Sequence, residues 1–509
     1  SKIQRISSLI LKGHSVMSNK EHAYFLVMDA GTTNIKAAIV SDGGELIEIR
    51  EEPAEVLMPF AGACEMDMEQ LWRSFKEVLI KLRSARPELW TQISALGISA
   101  QGDGLWMMDA EGKPIRNAIL WNDTRTVMDY EEINPICLGL NTCALFPGAN
   151  GAILTWLKKK EPENYARIAH VFHCKDWLNY KLTGHIGTDA TDGSTALMDI
   201  YTKQYAYDLL DKLKISEMRD ALAPISASED IVGHLQDGPA SELGLSPGIP
   251  VIAGCLDVMA IATGCGLVAK GQRGTIVGTT LANYVVMDEE TARGCIATNG
   301  SILCHTQKGT YIRLMAALSG SSALDWMRRE ILHDEDYAVT DCEILKIPIG
   351  SEGAMSTPYL YGERAPFKLN SASGGYYGVR THHTKYHLAR ASFEGMVLSM
   401  YDCYEHLPKG DAELYIAGGA AKSLCICQMI CDCMGTDTYR FEQKELGLIG
   451  VCRLIQSALG IEADLASQTD HFEPDMENHQ KYQALYADFK LLKESMMPFW
   501  KARLGRASE

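Results

Sequence analysis

Tyr24-Phe25-Leu26-Val27-Met28-Asp29-Ala30-Gly31-Thr32-Thr33 runs an apolar strand straight into a carboxylate, a glycine and two hydroxyls. A strand of that make-up is buried, and its abrupt stop at Asp29 leaves the turn residues facing whatever sits beyond the strand end. Gly31 lets the backbone turn tightly there. Asn34-Ile35-Lys36-Ala37-Ala38-Ile39-Val40 reads as the returning strand, with Ser41-Asp42-Gly43-Gly44 as the hairpin turn after it. Such a clamp can hold phosphate oxygens on its amides while the Asp orders a metal-bound water. The same residues also suit an ordinary hairpin. A second copy favours the clamp: Arg273-Gly274-Thr275-Ile276-Val277-Gly278-Thr279-Thr280 again runs apolar residues into Gly-Thr-Thr.

A chain of 509 residues is too long for one core, so two large domains are expected. The 46% hydrophobic and 22% charged content is that of a globular protein. A net charge of −17 provides no basic excess to neutralise a nucleic-acid backbone, although nucleotides remain bindable through local loops and Mg²⁺. No apolar run approaches the length of a membrane span. The 15 cysteines, odd in number and irregularly spaced, fit a reducing, cytoplasmic setting better than a disulfide framework. Residues 1–21 are expected to form a disordered N-terminal segment outside the fold, with residues 1–16 upstream of a start at Met17.

Helical periodicity covers Asp67 to Arg83, and Ile93 to Ser99 reads as a strand. Ile168–Lys181 and Tyr205–Leu213 read as helices, Ile249–Gly254 as a buried strand and 258–264 as a helix with a glycine stop. The alternation points to a layered α/β fold. The boundary is placed just after this helix, giving domains over 22–266 and 267–495 that meet face to face across a cleft. The second half repeats the logic with strands in 274–287 and 311–316, a helix at 320–332 and a strand–turn–helix at 413–434.

The chain resembles the FGGY carbohydrate kinases. The most specific element is Gly374-Gly375-Tyr376-Tyr377-Gly378-Val379, followed at the family's spacing by His387-Leu388 and Ala391-Ser392-Phe393-Glu394. Gly362-Glu363-Arg364-Ala365-Pro366 and Gly418-Gly419-Ala420-Ala421-Lys422-Ser423 add to it. The resemblance implies two actin-like (ribonuclease-H-like) domains with ATP in the cleft, Mg²⁺, and transfer of phosphate to a primary hydroxyl of a small polyol or ketose. It implies Asp257 as general base, Asp29 as holder of Mg²⁺ through water, and Thr32, Thr33, Gly278 and Thr279 around the phosphates. Gly320, Gly418, Gly419 and Ser423 would complete the ATP site. By their residue types alone, Asp257 and Ser423 suit helix capping equally well.

Gln101-Gly102-Asp103-Gly104-Leu105-Trp106 and Trp121-Asn122 sit where the family contacts its sugar. A carboxylate, an amide and an indole suit a polyhydroxylated ligand, giving Gln101, Asp103, Trp121, Asn122 and Asp257 as the expected substrate contacts. The Gln-Gly-Asp-Gly-x-Trp form is most similar to erythritol kinases, and L-xylulose kinases carry a related Gln-Gly-x-Gly. Ile153 stands where many pentulose kinases have a Lys. Erythritol and pentuloses such as L-xylulose, xylulose or ribulose therefore stay open as substrates, and a homodimer stays open as the assembly. The implied partners are the sugar and ATP, with no nucleic acid and no membrane. An actin-like nucleotide-binding regulator without sugar turnover is the alternative, and an acetate- or hexokinase-type enzyme is disfavoured by the 374–394 signature.

Cys425, Cys427, Cys431 and Cys433 lack the distant second pair of a zinc site and read as helix packing. His382 and His383 read as a solvated turn, His387 as part of the signature, and 445–450 as a helix start whose glycines permit close packing.

Overall fold

The computed structural model describes residues 23–127, 145–295, 300–410, 413–441, 445–462 and 469–503. The expected N-terminal segment lies outside them. Two seven-stranded sheets organise the chain, and their strands are numbered here β1–β14. The first contains β1 (Tyr24–Ala30), β2 (Asn34–Ser41), β3 (Leu46–Pro53), β4 (Ile93–Ala100), β5 (Ile231–His234), β6 (Pro250–Ile252) and β7 (Cys255–Leu256), in the order β5-β6-β4-β1-β2-β3 with β7 also paired to β4. The second contains β8 (Arg273–Val277), β9 (Leu281–Asp288), β10 (Ser301–Cys304), β11 (Thr310–Ala317), β12 (Leu414–Ala417), β13 (Thr438–Phe441) and β14 (Thr469–Phe472), in the order β10-β11-β9-β8-β12-β13-β14.

The two sheets repeat one device. β1 pairs antiparallel with β2 and parallel with β4, while β8 pairs antiparallel with β9 and parallel with β12. Each Gly-Thr-Thr turn therefore closes the hairpin beside a parallel strand. The fold is the two-domain α/β architecture expected from the sequence.

β1 is buried on both faces. Leu26 and Met28 join a core with Phe75, Leu79, Leu96, Trp106 and Trp177, whereas Phe25 and Val27 point into a second core. That second core takes Tyr284 and Val286 from β9 and Val451 and Ile455 from the C-terminal half, so the two halves share it. Apolar burial on both faces explains why β1 reads as a continuous apolar run rather than an alternating one.

Helix α1 (Met68–Ala85) starts at Asp67, whose carboxylate accepts from the amides of Glu69 (2.9 Å) and Gln70 (3.0 Å), and it buries Leu71, Phe75, Val78 and Leu82 along one face. The helix expected over 168–181 is divided. His170–Phe172 is a strand paired with Trp106–Met108, and α2 (Cys174–Thr183) begins only after His173. Strand pairing satisfies the backbone of 170–172, and a capping box of His173 and Asp176 starts the helix late. The helix expected at 205–213 begins at Tyr207, because Gln204–Tyr205 pairs with Met198–Asp199.

Helix α3 (Asp257–Gly264) follows β7 directly. It packs against α4 (Leu446–Leu459), which also lies on β1 and β4. The approach is close enough that a Cβ on Gly450 would collide with the Ala260 carbonyl oxygen, and one on Gly264 with that of Leu446. Among the described residues no helix is long and apolar enough to cross a membrane.

Candidate active site

Three neighbouring strands of the first sheet end together. Register places Asp29 of β1 opposite Ser99 of β4, and Ser99 opposite Cys255 of β7. The chain then continues into the Asp29 turn, the Gln101 loop and Asp257, so these groups gather outside the carboxyl ends of parallel strands, where open α/β sheets carry their ligands. Ser99 donates its hydroxyl to Asp29 Oδ1 at 2.7 Å. Burial raises the Asp29 carboxyl above its ordinary range, against the pull of Ser99 and Lys36. Asp257 is pushed up to about 7, by burial first and then by the nearby charge of Asp29. The N-cap of α3 is Leu256, not Asp257, whose Oδ1 accepts only the amide next to it, Val258 N at 2.6 Å. The carboxylate is thus not consumed by helix capping.

A side-chain relay links the turn to the Gln101 loop. Trp121 Nε1 donates to Thr32 Oγ1 (3.0 Å), and that hydroxyl donates to Gln101 Oε1 (3.0 Å). Thr32 thereby ties the phosphate-type turn to two of the expected substrate residues, while Thr33 beside it is exposed. Asp103 sits in the left-handed region at φ 55°, followed by Gly104 at φ 70°. Its Oδ1 is buried with no protein partner. Burial pushes its carboxyl up to about 7, with His173, Thr195 and Arg364 pulling down and Asp192 pushing up. Asn122 is exposed, beside the buried Asp123. Arg364, from the second half of the chain, places its guanidinium 5.6 Å from the Trp121 ring. Its Nε donates to the Ala316 carbonyl at 2.6 Å. The pocket thus takes walls from both halves.

Several polar residues at this site went unread in the sequence. Asp123 accepts from Cys64 N (2.7 Å) and pairs with Arg125 (2.8 Å), which also reaches Glu65 (2.7 Å) and lies between the Phe60 and Trp156 rings. That clamp fixes the segment carrying Trp121. His173, Lys175 and Asp192 are also buried here. Their partners lie up to 17 residues away in sequence (Lys175 with Asp192), so no local spacing announces them.

On the other sheet, the Gly278-Thr279-Thr280 turn is closed by Gly278 N bonding Thr280 O at 3.1 Å, and Ser321 N donates to Gly278 O at 2.8 Å. Gly320 lies against this turn; a Cβ there would come 2.5 Å from Gly278 O. Gly418 adopts φ 103°, and a Cβ on it would come 2.6 Å from Val277 O, so glycine is required at that close crossing. A Cβ on Gly419 would meet open space. The loops at 278–280, 320 and 418–419 therefore form one cluster at the ends of β8 and β12. Ser423 caps the helix Leu424–Met434 by accepting from Ile426 N (3.2 Å), and donates to Asp341 Oδ2 (2.8 Å).

The four cysteines of that helix are buried and unpaired, as packing predicts. His382 and His383 approach Glu352, although they were read as a solvated turn, and His383 is half-buried. A cation is poorly served there. His383 Nδ1 accepts from Arg380 N (2.8 Å) and His387 Nδ1 from Thr384 N (3.1 Å), which leaves each Nε2 carrying its proton.

Comparison with known proteins agrees with this geometry. Residues 24–264 match the N-terminal domain of the FGGY family of carbohydrate kinases, and residues 274–458 match its C-terminal domain. A probable L-xylulose kinase of Pasteurella multocida is 30% identical, covering 92% of this chain and 98% of that protein. The L-xylulose/3-keto-L-gulonate kinase of Escherichia coli is 28% identical over 94% and 98%. The crystal structure of a xylulose kinase from Brucella ovis superposes with a TM-score of 0.86 at 24% identity, covering 94% of this chain and all of the other. The two domain matches and the full-length relative together cover most of the sequence, and the chain belongs to the FGGY carbohydrate kinases.

Proposed function

We propose that this kinase transfers the γ-phosphoryl group of ATP to a primary hydroxyl of a pentulose, L-xylulose being the first candidate, with Asp257 as general base. The observation that carries the reading is the position of Asp257: half-buried, first in α3, and beside Asp29 and the Gln101 loop at the strand ends. The choice of sugar is supported by the relative named L-xylulose kinase, matched over nearly the full length of both chains. The Gln101-Gly102-Asp103-Gly104 loop makes erythritol the competing acceptor.

Phosphoryl transfer asks the protein for positioning, charge neutralisation and a base for the acceptor hydroxyl. Val258 N occupies Asp257 Oδ1, which leaves Oδ2 to take the proton of the acceptor. Gln101, Asp103 and Trp121 orient the sugar, and Arg364 closes over the indole. Thr32, Thr33, Gly278 and Thr279 would line the phosphates, and 320 with 418–419 would take the nucleoside. Two half-buried carboxylates, each raised by desolvation and one further by the other, suit a divalent cation. Asp29 would hold Mg²⁺ through water, where the ion supplies positive charge to the phosphate oxygens. A reducing, cytoplasmic setting belongs to this reading, supported by 13 described cysteines that are all unpaired.

The test is ATP consumption measured over a panel of C3–C6 polyols and ketoses, with kcat/KM for each. A pentulose should lead the ranking. Erythritol in first place would overturn the choice of sugar, and no turnover with any member would favour a nucleotide-binding regulator instead.

A further inference from the structure

Buried polar atoms without a hydrogen-bond partner gather around the Gln101 loop, among them Asp103 Oδ1, Asp192 Oδ1 and His173 Nε2. Asp192 is 1% and His173 3% exposed, so water does not readily serve them. Leaving such groups unpaired is costly, and a buried cluster of them calls for a ligand.

They come from segments that the fold fastens to the site. Asp192 lies in the short helix Ala190–Gly193, started by Asp189, whose carboxylate accepts from Thr191 N at 2.9 Å. Thr191 Oγ1 in turn accepts from Leu256 N (2.9 Å), the residue just before Asp257. Asp192 Oδ1 lies against Gly102, 3.1 Å from where a Cβ on that glycine would stand. His173 is fixed through Nδ1, 3.2 Å from Thr188 Oγ1 and 3.5 Å from Asp176 Oδ2, so only Nε2 is left over.

Behind this wall is Lys175, with no exposed surface. Its ammonium lies 2.6 Å from Asp176 Oδ1, 2.9 Å from Asp189 Oδ1 and 2.8 Å from Asp192 Oδ2. Burying an ammonium among three carboxylates is a poor source of stability, because the desolvation cost offsets the Coulomb gain. What the arrangement does achieve is orientation: Lys175 fixes one oxygen of Asp192 and leaves the other bare toward Gly102.

Resting on the kinase reading above, we propose that Asp192 and His173 form a second polar wall of the acceptor pocket, next to Asp103, which selects neutral polyhydroxylated acceptors and rejects those carrying a carboxylate. Separate hydroxyls of one sugar can donate to Asp103 Oδ1 and to Asp192 Oδ1, and one of them can accept from a protonated His173 Nε2. Where a sugar acid places its carboxylate, no proton is offered to these oxygens and a charge is added beside Asp103, Asp192 and Asp257. Like charges in a closed pocket exclude a ligand more strongly than a missing contact does. The Lys175 cation cannot compensate, since its three carboxylate partners already surround it.

The test compares a neutral acceptor that the wild-type enzyme turns over with the aldonic acid of the same chain length. The wild-type enzyme should prefer the neutral sugar by at least a hundredfold in kcat/KM. Asp192→Asn should raise the acceptor KM at least tenfold, leave the KM for ATP within twofold, and narrow the preference over the acid at least tenfold. His173→Gln should raise the acceptor KM in the same way, and serves if Asp192→Asn does not fold. Wild-type turnover of the acid at a rate comparable to the neutral sugar would overturn the proposal and leave the kinase reading intact. So would an unmoved acceptor KM and acid-to-neutral ratio in a folded variant. Absence of turnover of every neutral acceptor would instead sink the kinase reading itself.

Discussion

Asp257 meets two opposed demands. As a base it must be ionised, yet desolvation and the neighbouring Asp29 favour its protonated form and push it up to about 7. For catalysis, kcat/KM should fall as the pH drops below about 7, the protonated carboxyl being unable to accept a proton. An acid limb centred below pH ~5, the range of an ordinary carboxylate, would remove Asp257 from that role. For stability the sign is reversed. Its folded pKa is raised, so its stabilising contribution is complete below the unfolded value of 3.8 and is lost as pH rises through about 7. Asp257→Asn should therefore lose kcat by ~10²–10⁴-fold. It should also be more stable than wild type at pH 8 by roughly 1–3 kcal/mol, the order of an uncompensated buried polar group. Urea midpoints at pH 5 and pH 8 check this: the advantage of the variant should shrink at the lower pH. A variant less stable than wild type at pH 8 would mean that the ionised carboxylate is held favourably after all.

The crossing of α3 and α4 decides where Asp257 stands, because Asp257 is the first residue of α3 and Gly450 packs a helix backbone directly onto Ala260. A methyl at Gly450 must push the helices apart, and overpacking of this kind costs typically ~1–3 kcal/mol. Gly450→Ala should lower Tm and reduce kcat more than it raises the KM for ATP, since the displaced helix carries the proposed base and not the proposed nucleotide loops. An unchanged Tm and kcat would show that the contact yields freely. The sequence reading placed glycines of 445–450 at a close approach, and it also found α1 and both hairpins. Those features depend on local signals: an acidic cap at Asp67, apolar spacing along one helix face, and glycine after a buried strand. The helix assigned to 168–181 failed because its apolar pattern cannot report that 170–172 pairs with Trp106–Met108, some 60 positions earlier. The same limit hid His173, Lys175 and Asp192. Their burial is justified only by each other, and a lysine or aspartate in a polar stretch looks like solvated surface until the chain is folded.

At the scale of the whole molecule, the duplicated hairpin device means that neither half holds a complete site. The first sheet supplies Asp29, Asp257 and the sugar loop; the second supplies the glycine-loop cluster and Arg364. Lys36 of β2 also pairs with Glu445 at the start of α4 (2.9 Å), and the core containing Val27 and Val286 is shared, so the halves are coupled through packing. Family membership was legible because the 374–394 signature and the glycine loops are contiguous in sequence. The meeting of Arg364 with Trp121 was not, since the two lie in different halves. That contact allows a final prediction. Arg364 rests its guanidinium near the Trp121 ring, lies within the field of Asp103, and is held from its own side by the Ala316 carbonyl. If acceptor binding draws Trp121 and Asp103 against Arg364, it also draws the nucleotide loops toward the strand ends, and each ligand should strengthen the other by the same factor. Calorimetry of the sugar with and without a non-hydrolysable ATP analogue should show mutual tightening of roughly fivefold or more in the wild-type protein, the usual scale of such coupling. Arg364→Met keeps much of the contact over the indole but removes the charge. It should bind the ATP analogue alone as the wild type does, bind the sugar more weakly, and reduce the coupling to less than twofold. Retention of the full coupling would locate the link between the halves in the shared core and the Lys36–Glu445 pair rather than in the walls of the pocket.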